Sequence, residues 1–184
     1  MAVFTAPTPT ALTEIIISQS DEVIKTLRTQ ERAERLRRIR KSTYANHGLE
    51  KKFGFTLTMP SAYKTLKENE TTSWFQREIQ KGHINLLVTT TPYDEDIVVD
   101  QNLEKIIAQH DSIGKAFIPG RLPNSHLITE KAYEPYIYST TFGKKPALEI
   151  RGTWEVQGDF MAGPVFQYII NDKPNNRNIL LEGF

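Results

Sequence analysis

The 184-residue sequence contains no cysteine. This absence excludes thiol catalysis, disulfide bonds and Cys-ligated zinc or iron–sulfur sites. No apolar run reaches the ~18 residues of a membrane-spanning helix. The N-terminus also lacks the basic segment and the long apolar run of a signal peptide. The net charge of +1 gives no global attraction to nucleic acid or to an anionic membrane.

Signatures of catalysis are also missing. The four histidines are scattered, with no HxH or HExxH spacing, and there is no G-x-S-x-G, Walker or Rossmann motif. We therefore predict no catalytic residue, no metal site and no cofactor. An enzyme has no positive support, although a single sequence need not display an active site.

The length and the globular composition predict a single domain over residues 1–184. A helix is expected over Asp21–Asn46, capped by Ser18 or Ser20 and ended by His47-Gly48, and another over Asp100–Ile113, capped by Asp100 and ended by Gly114. Strand patterns occupy Ala11–Ser18, Phe53–Pro60, Tyr63–Glu70, Ser73–Glu78, Ile84–Thr91, Tyr136–Phe142, Leu148–Val156, Val165–Asn171 and Asn178–Phe184. Short turns between neighbouring strands favour antiparallel pairing. The expected fold class is α+β, a mainly antiparallel sheet of about six strands with two principal helices packed on it.

The strand near residue 150 carries the first candidate ligand-binding residues. Glu149 and Arg151 share one face of it, whereas Trp154 alternates with the apolar residues and should face the core. A carboxylate and a guanidinium two residues apart can form a structural ion pair or jointly bind a ligand. Both interpretations stay open, and the structural pair is the more common outcome.

The connector that follows and the last strand complete the candidate site. Phe160, Met161 and Gly163 could contact a partner through apolar side chains and an accessible backbone, or could simply join two strands. Glu182 lies in an otherwise apolar run. A buried carboxylate needs a partner, so we expect Arg151 to pair with Glu149 or with Glu182.

Two further charged clusters have simpler explanations. The basic residues of Arg28–Lys41 are interleaved with Glu31 and Glu34, which predicts a solvated helix face with local ion pairs and no nucleic-acid site. Asp94, Asp96 and Asp100 lack the glycine and the terminal glutamate of a calcium loop and are more simply helix caps.

Several motifs resemble those of the Bacteroidetes family called domain of unknown function 4837. They are Phe53-Gly-Phe with Met59-Pro60 and Tyr63, Trp74, Thr91–Tyr93, His110–Ser112, Ile118–Gly120, Glu149–Gly152 with Trp154, Phe160-Met161 with Gly163-Pro164, and Glu182–Phe184. Members are cell-envelope lipoproteins with no established activity, so the resemblance implies an envelope location facing the periplasm or in the outer membrane. It also implies that this chain is a fragment lacking N-terminal and C-terminal segments, attached to the membrane only through a lipid anchor that is absent here.

The sequence therefore favours a non-enzymatic binding or interaction domain whose partner is an unknown envelope protein or a small ligand. One alternative is a hydrolase that acts on envelope material. A weaker alternative is a nucleic-acid binder that uses the Arg28–Lys41 helix. The sequence leaves the oligomeric state open.

Overall fold

A computed structural model describes residues 2–44 and 48–184, and these residues form two compact units. The first unit comprises Met1–Asn46 and Thr56–Ser61, and the second comprises His47–Phe55 and Ala62–Phe184. The prediction that the first helix runs to Asn46 is wrong, because this helix ends at Ile39 and residues 40–44 are not helical. Asn46 and His47 themselves lie outside the described residues. No helix among the described residues is long and apolar enough to cross a membrane.

The first unit is built on one long helix, α1 (Pro9–Ile39), none of whose residues is buried. Thr8 caps the helix by accepting a hydrogen bond from the backbone N of Ala11. The strand predicted over Ala11–Ser18 is wrong, because these residues form the first turns of α1. Three β-branched residues carry only a weak local preference, and Pro9 after a capping threonine is a helix-start signal. The predicted caps are wrong too, since Ser18 and Ser20 bond back to carbonyl oxygens within the helix.

The rest of the first unit pairs residues 42–44 with residues 59–61. Its hydrogen bonds run from Tyr44 N to Met59 O (3.0 Å) and from Ser61 N to Ser42 O (2.9 Å). The strand predicted over Phe53–Pro60 is wrong, because the chain here forms no strand and Phe53 belongs to a short helix. Burial still alternates along this segment. A two-residue period of burial therefore indicates extended backbone, but it does not establish hydrogen-bonded pairing with another strand.

The second unit contains a single eight-stranded antiparallel sheet. The strands are β1 (Lys64–Glu68), β2 (Thr72–Ile79), β3 (Gly82–Pro92), β4 (His126–Thr129), β5 (Tyr136–Phe142), β6 (Lys145–Gln157), β7 (Ala162–Asp172) and β8 (Arg177–Gly183). Their order is β1-β2-β3-β8-β7-β6-β4. β4 and β5 both pair with the same edge of β6, β4 with residues 154–157 and β5 with residues 145–151. The antiparallel α+β prediction is confirmed. The sheet, however, has eight strands where about six were expected, and the described residues form four α-helices where two principal helices were expected.

Three further helices belong to this unit: α2 (Leu49–Phe53), α3 (Glu95–Val98) and α4 (Leu103–Phe117). The predicted second helix corresponds to α4, but its cap is Asn102, not Asp100. Gly114 does not end α4. A Cβ there would lie 2.0 Å from the carbonyl oxygen of Leu127, so glycine is needed for the close approach of helix and strand.

The main core lies between the sheet and helices α3 and α4. We call the face of the sheet that these helices cover the helix-side face. Two buried clusters fill it: Trp74, Leu87, Ile113, Ile118, Leu127 and Leu180, and Ile97, Ile106, Leu148, Ile150 and Ile169. Trp154 packs against the first cluster, as its alternation predicted. The opposite face carries α2 near β2 and β8. There the Lys52 ammonium donates to the Ser73 hydroxyl, and the backbone carbonyl oxygen of Lys52 accepts from the Arg177 guanidinium.

Candidate functional site

On its opposite face, the sheet displays six side chains from three adjacent strands, which we call the aromatic face. The strand register places them in two rows, and the side chains of directly paired residues are neighbours on one face. Because β5, β6 and β7 are antiparallel neighbours, each row takes one residue from each strand. The rows are Tyr136–Arg151–Phe166 and Tyr138–Glu149–Tyr168.

Arg151 lies in the middle of its row and pairs with Glu149, which is one of the two pairings predicted from the sequence. Its Nε lies 2.7 Å from Glu149 Oε1, and the hydroxyl of Tyr168 donates to Glu149 Oε2 at 3.1 Å. The guanidinium carbon lies 5.6 Å from the ring centre of Tyr138 and 5.8 Å from that of Phe166. These distances are within the range of cation–π attraction. The arginine is therefore oriented by a carboxylate and two rings.

The exposure of the aromatic face is uneven. The Arg151 side chain is 60% exposed, whereas that of Glu149 is only 15% exposed. Tyr136 and Tyr138 are also exposed, and Phe166 meets Tyr168 edge-on with ring centres 5.0 Å apart. A molecule that approaches the sheet therefore meets aromatic rings and a guanidinium, while the compensating carboxylate lies below them.

The β6–β7 connector, residues 158–161, holds the predicted site residues Phe160 and Met161, and the predicted Gly163 follows it in β7. Phe160 is fully exposed at its tip, and the backbone oxygen of Met161 accepts from Val156 N at 2.8 Å. Gly163 pairs with Trp154, and a Cβ at Gly163 would lie 2.9 Å from the indole ring. Since three strand residues span ~10 Å, the connector lies beyond the aromatic face along β7. The structure therefore gives Gly163 a packing role.

Glu182 does not belong to this surface. In β8 it pairs with Gln167, whose side chain points to the helix-side face, so the sheet separates Glu182 from Arg151. The expectation that Arg151 could pair with Glu182 is wrong. The Glu182 carboxylate, which is fully buried, lies 3.3 Å from His110 Nε2 and 3.3 Å from Gln167 Nε2. Neither partner was predicted from the sequence.

His110 connects Glu182 to two more polar groups. Its Nδ1 lies 2.8 Å from the hydroxyl of Thr129 and 3.5 Å from the Asp111 carboxylate. Burial lowers the pKa of His110, but the carboxylates of Glu182 and Asp111 outweigh this effect and raise the pKa to about 9. Burial raises the pKa of Asp111, whereas hydrogen bonds from His110 and Thr129 lower it below its ordinary value.

This buried network can hold a proton, but it has little room for a substrate. A cavity of about 20 Å³ beside it is lined by His110, Thr129, Gln167 and apolar residues. A volume of this size holds about one water molecule. One signal in the sequence pointed to the network, since His110 interrupts the apolar stripe of α4 between Ile106 and Ile113.

The remaining charged clusters have structural roles. Asp94 caps α3 by accepting from Asp96 N, and the Lys105 ammonium contacts both carboxylates. In the part of the chain that the structure describes, no group of three or more metal-binding side chains converges. On α1, Glu31 pairs with Arg35, and Glu34 with Arg37 and Arg38, as the interleaved charges predicted. Hydrogen bonds from these two arginines hold the pKa of Glu34 at about 2.

Comparison with known proteins gives one finding. A family model described as "Domain of unknown function (DUF4837)" matches residues 42–184. The searches of curated proteins and of solved structures found no match. The matched region contains the aromatic face, the β6–β7 connector and the buried network, and α1 precedes it.

Proposed function

The chain belongs to the DUF4837 family, and we propose that its matched domain is a non-enzymatic interaction module that binds a protein partner through the aromatic face. One observation carries the proposal. Exposed tyrosines, a phenylalanine and an arginine are assembled from three strands on one open part of the sheet. Tyrosine and arginine are, together with tryptophan, the residue types enriched among the residues that dominate binding energy at protein–protein interfaces.

The flat shape of the aromatic face favours a macromolecule over a small ligand. Small-molecule sites are concave and bury most of the ligand surface, whereas Tyr136 and Tyr138 project from the outer side of a sheet with 69% and 49% of their surfaces exposed. Tyrosine rings lose little conformational entropy on binding because they have only two rotatable torsions. A protein surface can cover several such rings at once.

The chemistry of Arg151 defines what the partner must offer. Glu149 occupies one side of the guanidinium, and the rings of Tyr138 and Phe166 limit its movement. A guanidinium has five N–H donors, so several of them remain for a carboxylate or a carbonyl oxygen of the partner. We expect a partner surface with apolar side chains over the rings and an acceptor at Arg151.

The connector residues Phe160 and Met161 extend the proposed contact surface toward the end of the β6–β7 hairpin. The fully exposed ring of Phe160 can be buried only by another molecule or by a rearrangement of the connector. Gly163 supports this surface by keeping Trp154 in place. Glu182 contributes only through the core, because it is buried on the other face.

Site-specific photocrosslinking tests this interaction. A photoreactive phenylalanine analogue replaces Tyr138 or Phe166 in the cells that make the protein, and a matched variant carries it at the exposed Lys81 of the β2–β3 turn. We expect one discrete crosslinked protein from the two face positions and none from Lys81. In addition, Arg151→Ala should weaken the crosslink at Tyr138. Equal products from all three positions would contradict the proposal, and so would an unchanged product in the Arg151 variant.

We also propose that the partner belongs to the cell envelope and that the native protein is a lipoprotein. The support is the motif resemblance to envelope lipoproteins, together with a cysteine-free domain that has no thiol to oxidise outside the cytoplasm. Fractionation of cells with an antibody against this domain should place the native protein in the envelope fraction, and labelled fatty acid should be incorporated into it. Recovery in the cytoplasm alone would reject this location.

A further inference from the structure

A pocket lies beside the core where the end of β3 meets α3 and α4. Its volume is about 410 Å³, which is within the range of small-molecule sites. Thr91 and Tyr93 line it from β3 and the turn that follows, and Gln109 and Ser112 line it from α4. The pocket lies on the helix-side face, because Thr91 is four residues from the core residue Leu87 on the same strand. It is therefore separate from the aromatic face.

Unpaired polar atoms are concentrated at this pocket. Among residues 2–44 and 48–184, four buried side-chain nitrogen or oxygen atoms lack a hydrogen-bond partner, and three of them belong to Gln109 and Asn178. A buried polar atom without a partner is costly, so such atoms in a native protein need an explanation. The number and the position of these three atoms indicate a molecule that bonds to them.

Gln109 and Asn178 are both neighbours of Thr91. The Gln109 amide nitrogen donates to the Thr91 hydroxyl at 3.0 Å, which leaves the amide oxygen unpaired. Asn178 is fully buried and pairs with Thr91 in the β3–β8 register, so their side chains are adjacent on the helix-side face. Asn178 lies one strand behind Thr91. A ligand in the pocket therefore reaches Gln109 first and Asn178 past Thr91.

The unpaired atoms require a ligand group that both donates and accepts hydrogen bonds. The oxygen of Gln109 needs a donor, whereas the amide of Asn178 offers a donor and an acceptor. The Thr91 hydroxyl can itself donate or accept, so the two ends of the Gln109 amide can exchange places, and the unpaired atom is then the nitrogen. A hydroxyl group suits each of these cases, because it donates and accepts.

The rim of the pocket disfavours a charged ligand. The carboxylates of Asp94 and Asp96 share the ammonium of Lys105, whose Nζ lies 3.3 Å from Asp94 Oδ2. An anion would be repelled by the surplus negative charge, and a cation would compete with Lys105 for the same carboxylates. Tyr93 adds an aromatic ring to the wall, and the negative face of such a ring attracts the C–H bonds of a sugar ring.

From this geometry we infer that the pocket binds a small neutral polyhydroxy compound of monosaccharide size, whose hydroxyl groups bond to Gln109 and Asn178. The carbon ring of this compound lies against Tyr93. Such binding uses neither the aromatic face nor a protein partner, so either proposal can fail without the other.

An NMR titration of the isotope-labelled full chain with D-glucose and with myo-inositol tests the inference. The side-chain amide signals of Gln109 and Asn178 should shift and saturate with either compound, and D-glucuronate, which adds a negative charge to the glucose ring, should bind more weakly. Gln109→Leu should raise the dissociation constant at least about five-fold, because one hydrogen-bonding group is lost. Gln157→Leu, at an exposed position of β6, is the matched control and should bind as the wild type does.

Asn178→Leu separates binding from stability. Replacing an unpaired buried amide with an apolar side chain of similar volume should keep or raise the melting temperature, while glucose binding becomes weaker. If this variant does not fold, Gln109→Leu carries the test alone. Two amides that contact only water, with no saturable shift up to about 50 mM of both polyols, would overturn the inference. Unchanged binding by Gln109→Leu, or equal binding of glucuronate and glucose, would overturn it too.

Discussion

Replacing Glu182 with glutamine removes the charge that keeps His110 protonated inside the fold, and we expect the resulting loss of stability to depend on pH. His110 is 5% exposed, and burial alone would lower its pKa. The carboxylates of Glu182 and Asp111 instead raise it from 6.5 to about 9. Since one pKa unit corresponds to ~1.4 kcal/mol, the protonated ring contributes about 3 kcal/mol to the free energy of unfolding.

The direction of the pH dependence follows from the sign of the shift. The pKa of His110 is higher in the folded protein than in the unfolded chain, so its stabilising contribution is complete below about pH 6.5. The contribution declines as pH rises and is lost once pH exceeds about 9. Glu182→Gln should therefore lose up to about 3 kcal/mol at pH 6, because Asp111 still favours the protonated ring in this variant. The difference from the wild type should shrink strongly by pH 9.5.

Urea unfolding at pH 6, 7.5 and 9.5 measures this difference, with the fluorescence of Trp74 and Trp154 as the probe of the core. His83→Gln is the matched control, because His83 is exposed on β3. We expect this variant to keep the pH dependence of the wild type. Parallel stability curves for the wild type and Glu182→Gln would refute the reasoning. An NMR titration that places the His110 midpoint at or below 6.5 in the wild type would refute it independently.

The remaining predictions concern two glycines and α1. Gly163→Ala should lower the free energy of unfolding, measured in urea, by about 1–3 kcal/mol, because its Cβ would lie 2.9 Å from Trp154. Gly183→Ala is the control and should cost less, because a Cβ there makes only ordinary van der Waals contacts. Alanine normally stabilises a helix relative to glycine, but Gly114→Ala should lower the melting temperature because its Cβ meets the backbone of Leu127. The full chain should not bind random duplex DNA tightly, because Glu31 and Glu34 pair with arginines of α1. Fluorescence anisotropy measures this binding, and tight binding whose log affinity falls steeply against log salt would contradict the prediction.

Much of the sheet could be predicted from the sequence because half-buried strands alternate in polarity. The patterns at Ser73–Glu78, Ile84–Thr91, Tyr136–Phe142, Leu148–Val156 and Val165–Asn171 all lie within observed strands. The failures came where local preference competes with other signals. Ala11–Ser18 is β-branched yet helical, and β4 is a four-residue strand in a loop-rich region whose pattern was too short to recognise.

The aromatic face could be predicted only in part. Glu149 and Arg151 stand two residues apart on one strand, so their pairing follows from local geometry alone. The rings that flank Arg151 come from β5 and β7, and their positions depend on the register of three strands. Register is fixed by turns and by the burial of whole faces, which a list of residues in order does not display.

The misassigned partner of Glu182 shows what a buried carboxylate requires. The apolar run around Glu182 correctly predicted its burial and its need for a partner, and a guanidinium such as that of Arg151 suits a carboxylate. Yet Arg151 alternates with Ile150, so a strand that buries Ile150 on the helix-side face must direct Arg151 to the other face. The partner had to come from an element packed on the same face as Glu182. On α4 the polar residue within the buried stripe is His110, and a ring that gains a proton can neutralise the carboxylate without leaving the core. Two buried polar residues on facing elements, each an exception within its own apolar pattern, are therefore better candidates for a pair than the most chemically complementary residue nearby.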